Sequence, residues 1–531
     1  MLKRSFLAPH GIARWASETP DAVALEQVGG ERMSYRQLLD ETLRWADAYR
    51  RLGVDAGHHV ATMIPHGLTV PKAWMGLAWL RAVEVPLNTA YIGGLLRYAL
   101  DVADVTTMVI GVEYFDRLMA VAESLPGLGT VVVVGGPAPE VETPFRLVSQ
   151  PDFLAGAEPA TDIVESGGGP DYRDPGAILF TSGTTGPSKA VLSPWALIFQ
   201  MWSWVPDDAL RAGEGLYCAF PMFHNSGKSA FNSCMVRGAR YVLRDHFSAT
   251  SFWDDVRSSN CVLGTTVGPM TALLHAQPPK PDDADNPLRG LLLGPMIPEI
   301  EDFEKRFDLK VATCYGQTEI GAAVSTTFDH GPWATCGRPR TDYPWSEVQI
   351  VNEFDEAVDV GEVGELVVRS REPWALNAGY YKMPDKTAEA WRNGWFHTGD
   401  AFRVDEDGWY YYVDRMKDAI RRRGENISSF EVENFLLEYP DVADVAAVGV
   451  PAEHGEDEVF VMVVVKDQST FDPGRLVEFL ADRMPKFMIP RYVEVVDDLP
   501  RNETSMRVRK DEIRRRGITA AAWDRETVGG R

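Results

Sequence analysis

Ala177-Ile178-Leu179-Phe180-Thr181-Ser182-Gly183-Thr184-Thr185-Gly186-Pro187-Ser188-Lys189 joins four apolar residues to a loop of hydroxyls and glycines that ends in an ammonium. The apolar run reads as a buried strand. The loop behind it offers hydroxyls, closely approachable backbone N–H groups and a cation, which is what a polyphosphate needs. It is not a Walker A loop, because Lys189 follows Ser188 rather than Gly and precedes Ala190 rather than Ser or Thr. A polar surface turn would share the glycines, but it would not need a buried strand in front and a lysine at its end.

Working outward from this segment, strand and helix patterns alternate. Ser34-Tyr35-Arg36-Gln37 has capping-box spacing, and Leu38, Leu39, Leu43, Ala46, Tyr49 and Leu52 then recur with helical period up to Gly53. Val60–Ile64 reads as a strand, Val70–Ala82 as a helix, and Val83–Leu87, Thr107–Val112 and Thr130–Val134 as short strands. Such alternation predicts parallel sheets covered on both faces, and the same texture returns between Asp174 and Cys314. From Gly337 it changes: Val348–Val351, Glu365–Ser370, Phe402–Val404 and Trp409–Val413 predict an antiparallel unit, with Asp407-Gly408 marking a hairpin. A polar run follows Arg415. Ser428-Ser429-Phe430-Glu431 repeats the capping-box spacing, and Ala443–Val450, Val459–Val465, Pro473–Arg483 and Arg491–Val496 predict a small α+β domain.

The 531-residue chain carries a formal net charge of -24. That argues against a nucleic-acid partner, which needs a basic face, and against adsorption to anionic membranes. The longest apolar runs, such as Val459–Val465, are strand-sized, so no membrane insertion is expected. The five cysteines have no C-x-x-C spacing, and the first twenty residues lack an apolar h-region; both fit a reducing cytosol. A homodimer is left open.

Four further segments carry chemistry. Tyr315-Gly316-Gln317-Thr318-Glu319, after the strand-like Val311–Cys314, offers an aromatic ring for a base, a glycine for close approach and a hard oxygen ligand suited to Mg²⁺. Trp395-Phe396-His397-Thr398-Gly399-Asp400 places a carboxylate after a tight turn, where it can accept ribose hydroxyls. Asp414-Arg415-Met416-Lys417-Asp418, followed by Arg421-Arg422-Arg423-Gly424, reads as a cationic hinge at the domain boundary or as a solvated charge run. Pro221-Met222-Phe223-His224-Asn225-Ser226-Gly227 presents a histidine before a helix-like stretch. Asn225, Ser226, Lys228 and Asn232 hint at a polar-ended acyl pocket, with a surface role open for Lys228.

Together, in this order and spacing, the five segments resemble the acyl-adenylate-forming superfamily of acyl-CoA synthetases, aryl-CoA ligases, peptide-synthetase adenylation domains and luciferases. The resemblance covers nearly the whole chain. Arg421 to Ser428, Phe252-Trp253 and Gln277-Pro278-Pro279 look most like the carnitine/crotonobetaine-CoA ligase branch. The resemblance implies an α/β fold: doubly wound sheets plus a β-barrel-like unit in residues 1–414, and a small mobile α+β domain in 415–531. It implies an ATP-dependent acyl-CoA ligase that uses Mg²⁺, forms acyl-AMP and pyrophosphate, and passes the acyl group to CoA.

It also implies roles. Thr181, Ser182, Gly183, Thr184, Thr185, Gly186 and Lys189 would grip the β- and γ-phosphates. Gly294, Pro295 and Tyr315 would sandwich adenine, flanked by Gly316 and Gln317. Thr318 would meet the α-phosphate, Glu319 would hold Mg²⁺, and Asp400 with Arg415 would bind ribose. Lys417 matches the hinge, Arg421, Arg423 and Gly424 the loop that faces CoA, and His224 the mouth of the acyl pocket beside the pantetheine channel. Two departures stand out. The adenine segment reads Leu292-Leu293-Gly294-Pro295 where the family carries two glycines and an alanine before proline. The family's Leu-Pro-x-Thr-x-Thr-Gly-Lys becomes Leu499-Pro500-Arg501-Asn502-Glu503-Thr504-Ser505-Met506-Arg507. Aligning on Val508 puts Arg507 at the lysine position; aligning on Leu499 puts Met506 there. The rival readings are a ligase that loads a carrier protein, a luciferase-like oxygenase, and a nucleotide-binding homologue with impaired catalysis.

Overall fold

The computed structural model describes residues 2–181, 188–328, 331–332, 334–340, 346–416, 418, 420–422, 425–451, 457–466, 468, 471–481, 483–501 and 508–528. Two seven-stranded, largely parallel sheets form the bulk of the chain. Across the first run Arg146–Ser149, Thr130–Val134, Thr107–Gly111, His59–Met63, Val83–Pro86, Pro175–Thr181 and Lys189–Pro194, of which only the last joins antiparallel. Across the second run Lys310–Ala312, Gly290–Gly294, Cys261–Val267, Gly215–Cys218, Arg240–Leu243, Val23–Gln27 and Arg32–Ser34. Strand order reverses at His59–Met63 in one sheet and at Gly215–Cys218 in the other, and such switch points open crevices beyond the strand ends.

Helices fill the space between the sheets. Tyr35–Arg51 begins with the predicted capping box: the Ser34 hydroxyl accepts from the Gln37 N–H, and the Gln37 side chain accepts from the Ser34 N–H. It packs with Thr69–Trp79, Trp195–Gln200 and Asn225–Arg237 in one core that includes Trp45, Trp74, Trp195, Phe231 and Tyr241. Trp74 stacks on Trp195 with ring centroids 5.1 Å apart.

Lys228, expected in a pocket or on the surface, is in neither place. It is fully buried against Glu84, with its ammonium 3.8 Å from the Trp74 ring centre and the Thr62 hydroxyl donating to the same carboxylate. The helical period puts residue 228 on the core face, where a charge persists only if paired. Asn232 is likewise structural: its Oδ1 accepts from the Ala8 N–H and its Nδ2 donates to the Phe6 carbonyl.

Beyond these sheets, the ribbon Cys314–Gln317 with Gly321–Ser325 leads into a six-stranded sheet that includes Glu347–Val351, Gly364–Arg369, Trp395–Val404 and Tyr410–Arg415, with every pair antiparallel. Two of the chemistry-bearing segments therefore run through strands. Tyr315 to Gln317 lie in the ribbon, and Trp395 to Asp400 open a ten-residue strand in which Gly399 takes φ +69°. Short motifs with few β-branched residues gave no strand signal; cross-strand pairing supplies the hydrogen bonds that hold them extended.

The small C-terminal unit is a four-stranded sheet of Val442–Pro451, Asp457–Val465, Tyr492–Val495 and Trp523–Asp524. The capping box expected at Ser428 turns on the side chain of Glu431, which lies outside the described residues. Ser428 Oγ donates to the Val413 carbonyl, and Asp414 adds a bond to the start of the helix Ser429–Leu437: its Oδ2 accepts from the Ser429 N–H at 2.6 Å and from the Ser429 hydroxyl at 2.5 Å. Arg422, in the middle of the arginine run, is buried: it pairs with Glu458 at 2.6 Å and donates to the Phe487 and Ile489 carbonyls. Among the described residues no helix is long and apolar enough to cross a membrane.

Candidate active site

The antiparallel pair Pro175–Thr181 and Lys189–Pro194 aligns Thr181 directly opposite Lys189, so the glycine-rich segment joins two strands rather than a strand and a helix. Ser182, Gly183, Thr184, Thr185 and Gly186 lie outside the described residues, as do Lys417, Arg423, Gly424 and Arg507. Arg421 sits in the strand Ile420–Arg422.

Thr181, Lys189, His224, Thr318, Glu319 and Arg415 line one cleft of about 600 Å³. Lys189 Nζ stands 3.5 Å from the Tyr380 hydroxyl, which donates onward to Glu319 Oε1 at 3.1 Å. Glu319 is 8% exposed, and burial raises its carboxyl pKa, against the opposing pull of the Tyr380 bond and of Lys189 and Arg415. Asn377 ties the Glu319 backbone down: its own N–H and its Nδ2 both donate to the Glu319 carbonyl, at 2.8 and 3.0 Å. Tyr380 and Asn377 were not singled out in the sequence. Asn377-Ala378-Gly379-Tyr380, with a glycine at φ +101° between amide and phenol, was the available signal.

Met201, Ser226, Gly316, Gln317 and Arg415 also line a second cavity of about 600 Å³, so the two spaces meet along these residues. One end of the second cavity is polar, with Tyr315, Asp400 and Arg415. The Tyr315 hydroxyl and Gln317 Nε2 both donate to Asp400 Oδ2, at 2.5 and 2.7 Å, and Arg415 Nε lies 2.8 Å from Oδ1. Burial and the adjoining Asp400 charge push the Tyr315 phenol well above its ordinary pKa, so it stays a donor. The Tyr315 ring meets Phe402 edge-on at 4.6 Å. Gly294 and Pro295, at the end of Gly290–Gly294, face the same cavity, whose apolar lining includes Trp202, Trp204, Phe220, Leu293 and Met296. The small unit contributes Phe430 and Asn434.

His224 is the N-cap residue of the helix Asn225–Arg237, although its side chain makes no cap bond. Its side chain is exposed at the cleft wall, yet the protein packed around it desolvates the ring and lowers its pKa, keeping the imidazole neutral at pH 7. Phe223, beside it, faces a separate cavity of about 320 Å³ that His66 and Tyr114 also line. This cavity opens where strand order reverses in both sheets. Near the C-terminus Lys510 is fully engaged, its Nζ 2.6 Å from Ser429 Oγ and 2.8 Å from Glu433 Oε1.

Comparison with known proteins agrees with this architecture. The model of the AMP-binding enzyme family matches residues 12–381, and that of the AMP-binding enzyme C-terminal domain matches residues 431–505. A crotonobetaine/carnitine–CoA ligase of Salmonella arizonae is 31% identical over 510 residues, covering 93% of this chain and 96% of the relative. Among solved structures, o-succinylbenzoate CoA synthetase from Bacillus subtilis, in complex with its acyl-adenylate intermediate, superposes with a TM-score of 0.81 at 21% identity over 95% of this chain and 98% of its own. The amide bond synthetase of Marinactinospora thermotolerans gives 0.79 at 23% identity over 96% and 99%. At these identities the solved structures report the fold.

Proposed function

The chain belongs to the AMP-binding enzyme family, and from that premise we propose that it is an ATP-dependent acyl-CoA ligase whose two half-reactions run in the joined cavities described above. The observation that carries the proposal is the line Lys189–Tyr380–Glu319: an ammonium and a buried carboxylate held across one cleft by a single phenol. A carboxylate attacking the α-phosphate of ATP must overcome repulsion between two anions, so the site needs cations placed beforehand. Lys189, with the segment Thr181 to Gly186, would hold the β- and γ-phosphates. Thr318 would contact the α-phosphate, Asp400 and Arg415 the ribose, and Tyr315 with Gly294 and Pro295 the adenine.

Glu319 fits a magnesium ion. Tyr380 occupies only Oε1, and among the described residues no group of three or more His, Cys, Asp or Glu side chains could hold a metal, so the ion's shell would be completed by phosphate oxygens and water. When bound, Mg²⁺ neutralises charge on the leaving pyrophosphate. The acid's tail would lie against Trp202, Trp204 and Phe220. The CoA thiol would reach the mixed anhydride past His224, from the cavity on the Phe223 side. We place the hinge at Lys417, between residues 1–414 and 415–531; turning about it would exchange Arg507 for Arg421, Arg423 and Gly424 between half-reactions. The reducing cytosol suits its five free cysteines.

The test is a panel of carboxylic acids, headed by crotonobetaine and carnitine from the relatives' names, with ATP, Mg²⁺ and CoA. Acid-dependent pyrophosphate release together with thioester is expected. No pyrophosphate with any acid would refute the ligase, and pyrophosphate without thioester would move the acceptor from CoA to another nucleophile.

A further inference from the structure

The thirteen-residue helix Asn225–Arg237 opens onto the cleft without a side-chain cap. Its first turn presents the N–H groups of Asn225, Ser226 and Gly227, none of which has an acceptor among the described residues; the first intrahelical bond runs from the Lys228 N–H to the His224 carbonyl. Helix N-termini carry partial positive charge and exposed donors. A second, independent feature sits on the same turn. Asn225 is 5% exposed at the cleft wall, its Oδ1 accepts from the Ser229 hydroxyl at 2.9 Å, and its Nδ2 is buried with no partner among the described residues. A buried amide donor left unpaired destabilises the fold, and the native structure tolerates that where a ligand supplies the acceptor. The turn is also held firmly: a Cβ on Gly227 would come within 2.5 Å of the Pro221 carbonyl oxygen, so the helix start is seated directly on the loop that carries His224.

We propose that this helix N-terminus and the Asn225 amide form an oxyanion site for the acid. It would hold the carboxyl oxygen that does not attack phosphorus, and then the same oxygen as negative charge builds on it during attack by the thiol. The proposal rests on the ligase reading, because it takes the reacting carboxyl to lie where the two cavities meet, and Ser226, next in the chain, lines both. The donors are aimed by the fold before any ligand arrives, which is the arrangement that stabilises a developing oxyanion at little reorganisation cost. In thioester formation the thiolate adds to the acyl carbon, the C=O pair moves onto this oxygen, and it returns as the bond to AMP breaks. The proton lost by the thiol leaves to solvent, and the site binds charge without transferring a proton.

Two ligands isolate the oxygen: butanoyl-sulfamoyl adenosine, which keeps the carbonyl, and the butyl ester of AMP, which lacks it. The wild-type chain should bind the first about tenfold more tightly than the second, the worth of a hydrogen bond to a polarised oxygen. In Asn225→Ala that ratio should fall toward one, with butyl-AMP affinity unchanged and the carbonyl stretch of the bound acyl compound moved to higher frequency. Asn225→Asp still accepts from Ser229 but turns an anion toward the site; it should fold as the parent and lose more of the ratio than alanine. A ratio and stretch identical in all three proteins would overturn the site. Failure of both ligands to bind the wild type would instead refute the ligase reading from which the site follows.

Discussion

The Tyr380 hydroxyl donates to Glu319 Oε1 at 3.1 Å, from a residue sixty-one positions further along the chain. That bond favours the ionised carboxylate, while burial opposes it and raises the pKa. Tyr380→Phe removes a hydrogen bond that lowers the pKa, so the Glu319 pKa should rise further. A proton then competes with Mg²⁺ at higher pH, and the acidic limb of the pyrophosphate-release profile should move toward neutrality. Apparent Mg²⁺ affinity at pH 7 should weaken about tenfold, as loss of a partner to a metal-binding carboxylate commonly does. An acidic limb and Mg²⁺ dependence matching the wild type would show that the phenol does not tune this carboxylate.

The two cations near the C-terminus should separate cleanly. Lys510 is committed to Ser429 and Glu433, so Lys510→Ala should lower the stability of the small unit and leave acyl-AMP formation nearly intact once folded. Arg507→Ala should slow acyl-AMP formation by about 10²-fold, by removing positive charge from the developing anion, and should slow thioester formation from preformed acyl-AMP far less. Single-turnover assays of each half-reaction decide it; the reverse pattern would assign the cation to Lys510.

Asp414, on the last strand of the antiparallel sheet, caps a helix of the small unit. Asp414→Ala should cost about 1–2 kcal/mol, the usual worth of an N-cap. Amides of Ser429–Leu437 should then exchange with solvent roughly 5–30-fold faster. Unchanged exchange there would mean that the helix start is held by other contacts.

Lys228→Ala should be among the most damaging single changes, because it leaves Glu84 charged and fully buried; removing one partner of such a pair costs about 3–5 kcal/mol. Replacing both, Lys228→Met with Glu84→Leu, should recover most of that loss in urea unfolding. A double variant no better than Lys228→Ala would assign the loss to packing against Trp74 rather than to the orphaned charge.

Much of the fold was legible in local pattern. The capping box at Ser34, the strands at residues 130–134 and 459–465, and the hairpin at Asp407-Gly408 follow from side-chain periodicity and turn chemistry, which act over a few residues whatever surrounds them. The five chemistry-bearing segments were legible for the same reason, since hydroxyls, glycines and cations in a short run have few other uses. Convergence was not. Nothing near Glu319 in the chain points to Tyr380, nothing near Ser429 points to Asp414, and nothing in the run Arg421 to Arg423 marks Arg422 as buried. Whether Lys228 met substrate, solvent or Glu84 depended on which strand lay beneath its helix. Partners across sheets are set by strand order and by how the layers pack, and these interactions join residues with no spacing rule between them. Local patterns therefore mark the candidate groups for chemistry, while the packing of the two sheets determines which of them face one another.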